Sequence, residues 1–193
     1  MLKIQVKVKG TSPLLMHRFN DGSIPIIPSE KSVKSKKATT VEEIAEMAAY
    51  RDDEGILYAP TEWFYMAMMN AGKFHQIRVN GSKPKQISTR DESLLSSCVW
   101  FYELKTSLNT TEYKLYAKSA VNTNIKARIM TYRPMIENWD CEFTIRVDDG
   151  FLPESVAHQL LTDAGSRIGV GSYRPQHKGQ FGTFLIEKWE ILN

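Results

Sequence analysis

Two hydrophobic periods alternate along this chain, and their order restricts its fold more than any single motif does. Leu2, Ile4, Val6 and Val8 alternate with Lys3, Gln5, Lys7 and Lys9, the two-residue period of a strand with one buried face. Residues 62–71 lie between Thr61, a plausible N-cap, and Gly72, placed as a C′ residue, and read as a helix. Trp63, Phe64, Met66, Ala67 and Met69 make that helix apolar nearly all round, so it is central and well covered. Cys98, Val99, Trp100, Phe101 and Tyr102 form a buried strand within 97–104, and Cys141, Phe143, Ile145 and Val147 alternate with polar residues in 141–147. Pro153 opens a second helix with Val156, Leu160, Leu161 and Ala164 on one face. A last strand over 181–192 packs Phe184, Ile186 and Trp189.

The resulting order is strand (2–9), helix (61–71), strand (97–104), strand (141–147), helix (153–165), strand (181–192). It predicts an α+β chain with the ferredoxin-like (RRM-like) βαββαβ arrangement, an antiparallel sheet with two helices on one face. The chain then forms a single domain over 1–193 with insertions at about 20–60, 73–95 and 105–138. Within the first insertion, Thr40-Val41-Glu42-Glu43 fits a capping box opening a helix through Tyr50, with Ile44, Met47 and Ala48 facing inward. In the last, Tyr113–Val121 and Ala127–Met130 read as hairpin strands. Lys31–Lys37 reads as a mobile loop.

Charge narrows the function. The net charge is only +3, but most of the 25 Lys and Arg fall in four acid-free stretches, Lys31–Lys37, Lys73–Arg90, Tyr113–Ile136 and Ala164–Ile186. Acids collect in Glu42–Glu54 and Glu137–Glu154. Segregation of this kind favours a polyanionic partner. The strongest such stretch is Gly165–Gly182, which holds five of the eleven glycines with Arg167, Arg174, His177 and Lys178. A glycine-rich basic loop between a helix and a strand lets backbone N–H groups approach an anion while cations neutralise it, which points to phosphate.

Three places resemble the RAMP superfamily of CRISPR-associated RNA-binding proteins, most of all its guide-RNA-coating backbone subunits. Gly169-Val170-Gly171 through Gly179-Gln180-Phe181-Gly182-Thr183-Phe184 is similar to the family's glycine-rich loop. Gly55–Phe64 resembles its lead-in to the first helix, and Ser12–His17 lies where its first strand delivers a turn near RNA. A phage or mobile-element relative fits the same pattern. The resemblance implies an oligomeric subunit with a role in antiviral defence that coats single-stranded nucleic acid, RNA above DNA. It also implies partnership with copies of itself or related subunits. The N-terminal alternation, a strand and not a signal peptide, predicts a cytoplasmic place.

The residues for that role are cations, rings and glycines. Gly169 and Gly171 allow close approach, Tyr173 offers a stacking ring, and Arg167, Arg174, Lys178, His17, Arg18, Arg128 and Arg133 meet phosphates. Lys34, Lys36, Lys37, Arg78, Lys83 and Lys85 extend the set from the two basic loops. No cofactor or metal set is indicated, because His17, His75, His158 and His177 lack ligand spacing. An endoribonuclease is the alternative, with His17, Asp21 or His177 as catalytic candidates, and a phage-encoded single-strand-binding or assembly protein is a further one. Cys98 and Cys141 read as reduced core residues, and no apolar run reaches the roughly 20 residues of a membrane span.

Overall fold

The computed structural model describes residues 1–18, 40–77, 83, 85–88, 93–122 and 127–192. The Lys31–Lys37 loop lies outside the described residues. The fold is α+β, with antiparallel sheets and, among the described residues, three α-helices.

The largest sheet has four strands. β1 (Leu2–Gly10) pairs along its length with β10 (Asp140–Val147) on one side and β11 (Phe184–Leu192) on the other. The short β6 (Val99–Phe101) completes the order β11-β1-β10-β6. Ile4, Val6 and Val8 of β1 and Cys141, Phe143, Ile145 and Val147 of β10 are all buried, as their alternation predicts. α2 (Glu62–Ala71) and α3 (Glu154–Asp163) pack with this face, and Phe64 stacks with Phe143 and Phe184 at 4.9 and 5.4 Å. Burying four or more aromatic rings in one layer is a large hydrophobic contribution, because each ring removes about 150–250 Å² from water.

Some local expectations are corrected. Thr61 precedes α2, but its hydroxyl donates to the Glu103 carbonyl rather than capping the helix. Gly72 is right-handed and continues into a 3₁₀ turn over Gly72–Phe74, instead of ending the helix in a left-handed C′ turn. A side chain there would collide with Ser88, so close packing explains the glycine. α1 (Val41–Met47) does open with the Thr40/Glu43 capping box, both of whose hydrogen bonds are present. It stops at Met47, and its inward residues are Ala45, Ala48 and Ala49, while Ile44 and Met47 are exposed. Small side chains let this short helix lie close on β9 (Ala127–Ile136), which selects the alanines over the larger residues.

The middle of the chain builds smaller sheets. β3 (Tyr58–Pro60) pairs with β7 (Lys105–Ser107), and β4 (Gln76–Ile77) with β5 (Lys85–Gln86). β6 is only three residues, because the chain beyond it turns away to make β7. β8 (Lys114–Asn122) and β9 form a long antiparallel hairpin, and β2 (Leu14–Leu15) joins its edge through Ile136 and Met135. The basic-aromatic residues Tyr132, Arg133 and Pro134 therefore sit inside a strand that runs on to Ile136, well past the Met130 end that the sequence indicates. Trp139 is buried and donates from its indole to the Ser12 carbonyl at 2.9 Å. Cys98 and Cys141 are free and buried, and burial pushes the Cys141 thiol up to about 12.

Candidate nucleic-acid interface

α3 does not release the chain at Asp163. A π turn carries it from Ala164 to Ile168, and Gly169 turns it outward with φ 72°. The next residues fold back on themselves and onto residues 12–16. Val170 N–H donates to the Gly182 carbonyl, Gly179 N–H to Arg174, Phe181 N–H to Tyr173, Ser172 N–H to Leu15 and Gly182 N–H to Pro13. Thr183 N–H donates to the Ser12 hydroxyl at 3.0 Å. These amides serve the protein's own fold, so the cationic side chains are what this segment turns to a ligand.

Its glycines answer the same packing. At Gly171 (φ 71°) a β-carbon would press on Leu14 and the Leu15 carbonyl, and at Gly182 (φ 70°) it would overlap the Val170 carbonyl. Both positions need the left-handed backbone that glycine adopts without strain.

The β8–β9 hairpin lies against this segment. Cross-strand pairing sets Tyr116 opposite Arg133 and Lys118 opposite Thr131, so Tyr116, Lys118 and Arg133 share one face. Tyr116 meets Phe181 edge to face, with ring centroids 5.2 Å apart. Lys118 Nζ lies 4.2 Å from the Tyr173 ring centroid, and the Arg133 guanidinium carbon lies 4.5 Å from the same centroid. Two cations on one ring attract through its quadrupole despite their mutual repulsion. Neither has a carboxylate partner among the described residues, nor have Arg174 and Lys178.

His17 is brought to the same place. Burial and then the Arg133 charge lower its pKa, so the neutral imidazole is favoured there. Arg18 is exposed one residue on, its N–H bonded to the Ala48 carbonyl at 2.9 Å. Arg174 is turned inward: its Nε donates to Gln176 Oε1 at 3.0 Å and a terminal N–H to the Gly171 carbonyl at 2.9 Å. Burial lowers the pKa of this guanidinium, and no described acid offsets the cost. His177 and Lys178 are exposed, Lys178 in a left-handed turn.

Arg167 has different company. Its Nε donates to Asp163 Oδ1 at 2.8 Å, and Asp163 Oδ2 lies 2.7 Å from His75 Nε2. The guanidinium also lies over Phe74 at 5.5 Å, alongside Lys73 at 4.9 Å. Lys85 is exposed in β5, and Lys83 is exposed just before it. The backbone of Arg128 is in β9, and its side chain lies outside the described residues, as do Asp21, Lys34, Lys36, Lys37 and Arg78. Among the described residues no group of three or more His, Cys, Asp or Glu could hold a metal ion.

Sequence reasoning placed His17, Arg133 and Tyr173 in the set, and the structure brings these three together. It missed Lys118, Tyr116 and Phe181. Their signal is the two-residue spacing of Tyr116 and Lys118, which puts a ring and a cation on one strand face.

No family model matches the chain. No curated protein matches it either. Among solved structures, it is similar to a chain in the cryo-EM structure of the Type III-B Cmr-beta bound to cognate target RNA, with a TM-score of 0.51 and 10% sequence identity. The match covers 100% of this chain and 61% of that chain, so this chain spans about three-fifths of its length. At that identity the likeness is one of fold.

Proposed function

We propose that this chain binds single-stranded RNA without cleaving it, as a RAMP-like subunit that coats guide RNA in a multi-subunit CRISPR-type ribonucleoprotein. The observation that carries the reading is Tyr173, a half-buried ring approached by Lys118 and Arg133, neither with an acid partner among the described residues. A stacking ring beside unneutralised cations is what sequence-tolerant binding of a single strand requires. The sheet order last-first-third-second, with helices between strands one and two and between three and four, supports a ferredoxin-like core. On this reading residues 1–193 are one domain, and the β8–β9 hairpin is an insertion that completes the RNA surface. The fold likeness to a chain of an RNA-bound CRISPR assembly supports the same class of partner, with other subunits or copies as neighbours and the cytoplasm as its place. No helix among the described residues is long and apolar enough to cross a membrane.

The test is anisotropy of labelled single-stranded RNA and DNA across a salt series. Arg133→Ala and Lys118→Ala should each make the log–log salt dependence shallower by about 0.7. Binding that ignores both salt and these substitutions would overturn the reading.

His17 favours one second reading, an endoribonuclease. A histidine kept neutral beside Arg133 is in the state of a general base toward a 2′-OH, with the arginine placed for the phosphate. Incubating RNA with wild-type and His17→Ala protein, with and without Mg²⁺, decides it. Cleavage lost in the variant supports catalysis, and intact RNA in both removes it.

A further inference from the structure

A second concavity opens between α2 and the glycine-rich segment, next to the Tyr173 cluster in the chain. Its volume is about 220 Å³, and its lining includes Glu62, Trp63, Met66, Asn70, Val170 and Arg174. Trp63 is half-buried and meets Tyr50 edge to face at 5.2 Å, which fixes its ring. Met66 is 46% exposed beside it on the same helix, so an apolar wall is left open to solvent here.

Two opposite charges line this cleft without meeting. No ion pair joins Glu62 to Arg174, and neither has an oppositely charged partner among the described residues. Gln176 and Gly171 hold the Arg174 fork by its Nε and one terminal N–H, which leaves its other terminal N–H groups as oriented donors. The Asn70 amide donates to the Met66 carbonyl at 2.7 Å, which leaves Asn70 Oδ1 as an acceptor. The cleft thus offers donors from one wall and acceptors from another, between apolar surfaces.

A bare phosphate satisfies Arg174 and is repelled by Glu62; an ammonium has the reverse difficulty. A neutral planar ring with acceptors along one edge and donors along the next uses both groups. Guanine has this pattern, because O6 and N7 accept from a guanidinium fork while N1–H and the 2-amino group can donate to a carboxylate. Adenine puts its amino group where the arginine needs an acceptor, and uracil has a single ring N–H between two carbonyls. We propose that this cleft takes an extruded guanine base, with Arg174 on its O6/N7 edge, Glu62 on its N1/N2 edge and Trp63 and Met66 against its faces. The inference rests on the single-strand reading above, since the cleft shares Gly171 and Arg174 with the glycine-rich segment.

Isothermal titration of the wild-type protein with GMP, AMP, CMP and UMP holds the phosphate constant and varies the base. GMP should bind at least about tenfold more tightly than UMP, the discrimination of one well-made bidentate contact. Glu62→Gln, an exposed position on the first turn of α2, should bring GMP down to the level of UMP. Equal binding of GMP and UMP to the wild-type protein overturns the guanine assignment, and so does a GMP preference that survives Glu62→Gln. Oligouridylate binding to the wild-type protein separates the two readings. If oligouridylate binds and GMP is not selected, the cleft inference falls alone; if oligouridylate fails to bind, the strand reading falls whatever GMP does.

Discussion

Arg167 and Arg174 belong to the same glycine-rich segment, yet the protein treats them in opposite ways. Arg167 is held by Asp163, which is itself only 9% exposed and also bonds His75, so that end of the segment is electrically closed. Arg174 bonds only neutral groups, and nearby Tyr173 gathers Lys118 and Arg133 with no described acid between them. Acid-free sequence is therefore a poor guide to unneutralised charge. Asp163 stands one residue before the acid-free stretch, yet it pairs with the first arginine in it, four residues on. Positive potential survives where the fold keeps carboxylates away in space.

The most severe way to break this contrast is to unseat the segment that carries both ends. Gly182→Val adds a branched side chain at φ 70°, against the Val170 carbonyl. It should destabilise the protein by at least about 2 kcal/mol in urea unfolding and abolish RNA binding with it. Asp163→Asn attacks the closed end alone. Losing the charged acceptor for Arg167 and His75 should cost about 1–3 kcal/mol in the same assay, with RNA affinity kept within about twofold.

That closed end also sets a pH dependence. Burial raises the Asp163 carboxyl, but hydrogen bonds from Arg167, His75 and Gln159 outweigh it, and its pKa is lowered overall. A carboxyl depressed by folding adds stability that is present above its unfolded pKa of about 3.9 and drains away as pH falls through the lower folded value. Wild-type stability should thus decline more steeply below about pH 4 than that of Asp163→Asn, a difference read from urea midpoints at several pH values.

The open end is tested by RNA affinity. Arg133→Ala should weaken single-stranded RNA binding by about tenfold at low salt, the loss of one phosphate contact and one side of the Tyr173 stack. Arg167→Ala should change it by less than about twofold. Equal losses from the two would erase the contrast. The smallest effect is on His17: with Arg133 removed its pKa should move up toward the ordinary histidine value, followed by NMR titration of its ring.

The four-stranded sheet was legible because each long strand has one buried face, and alternation such as Cys141/Phe143/Ile145/Val147 reports that directly. The hairpin was only half legible. Its strands stand away from the core, with Leu115 and Met130 exposed, so burial leaves little period to read, and Pro134 argues against a strand interior. The glycine-rich segment stands out by composition, but composition does not say what glycine is for. Here Gly171 and Gly182 make room for the protein's own carbonyls, while the cations gathered on Tyr173, Lys118 and Arg133, come from a different element. A cluster assembled from distant strands in this way shows only as the spacing within each strand, here that of Tyr116 and Lys118.

The pairing of β1 with β10 and β11 sets a timetable for the molecule. Leu2 meets Val147, Gly10 meets Phe184, and residues 13–15 are held by the amides of Ser172 and Gly182. β1 cannot complete its pairing until residues 140–147 and then 184–192 have also been made, and closure over spans of that length is slow. The Tyr173 cluster waits with it, because His17, Arg133 and Tyr173 come from three widely spaced stretches of the message. Until Tyr173 has been made, Lys118 and Arg133 have no ring to gather on, so this cluster closes only after the hairpin that supplies its cations.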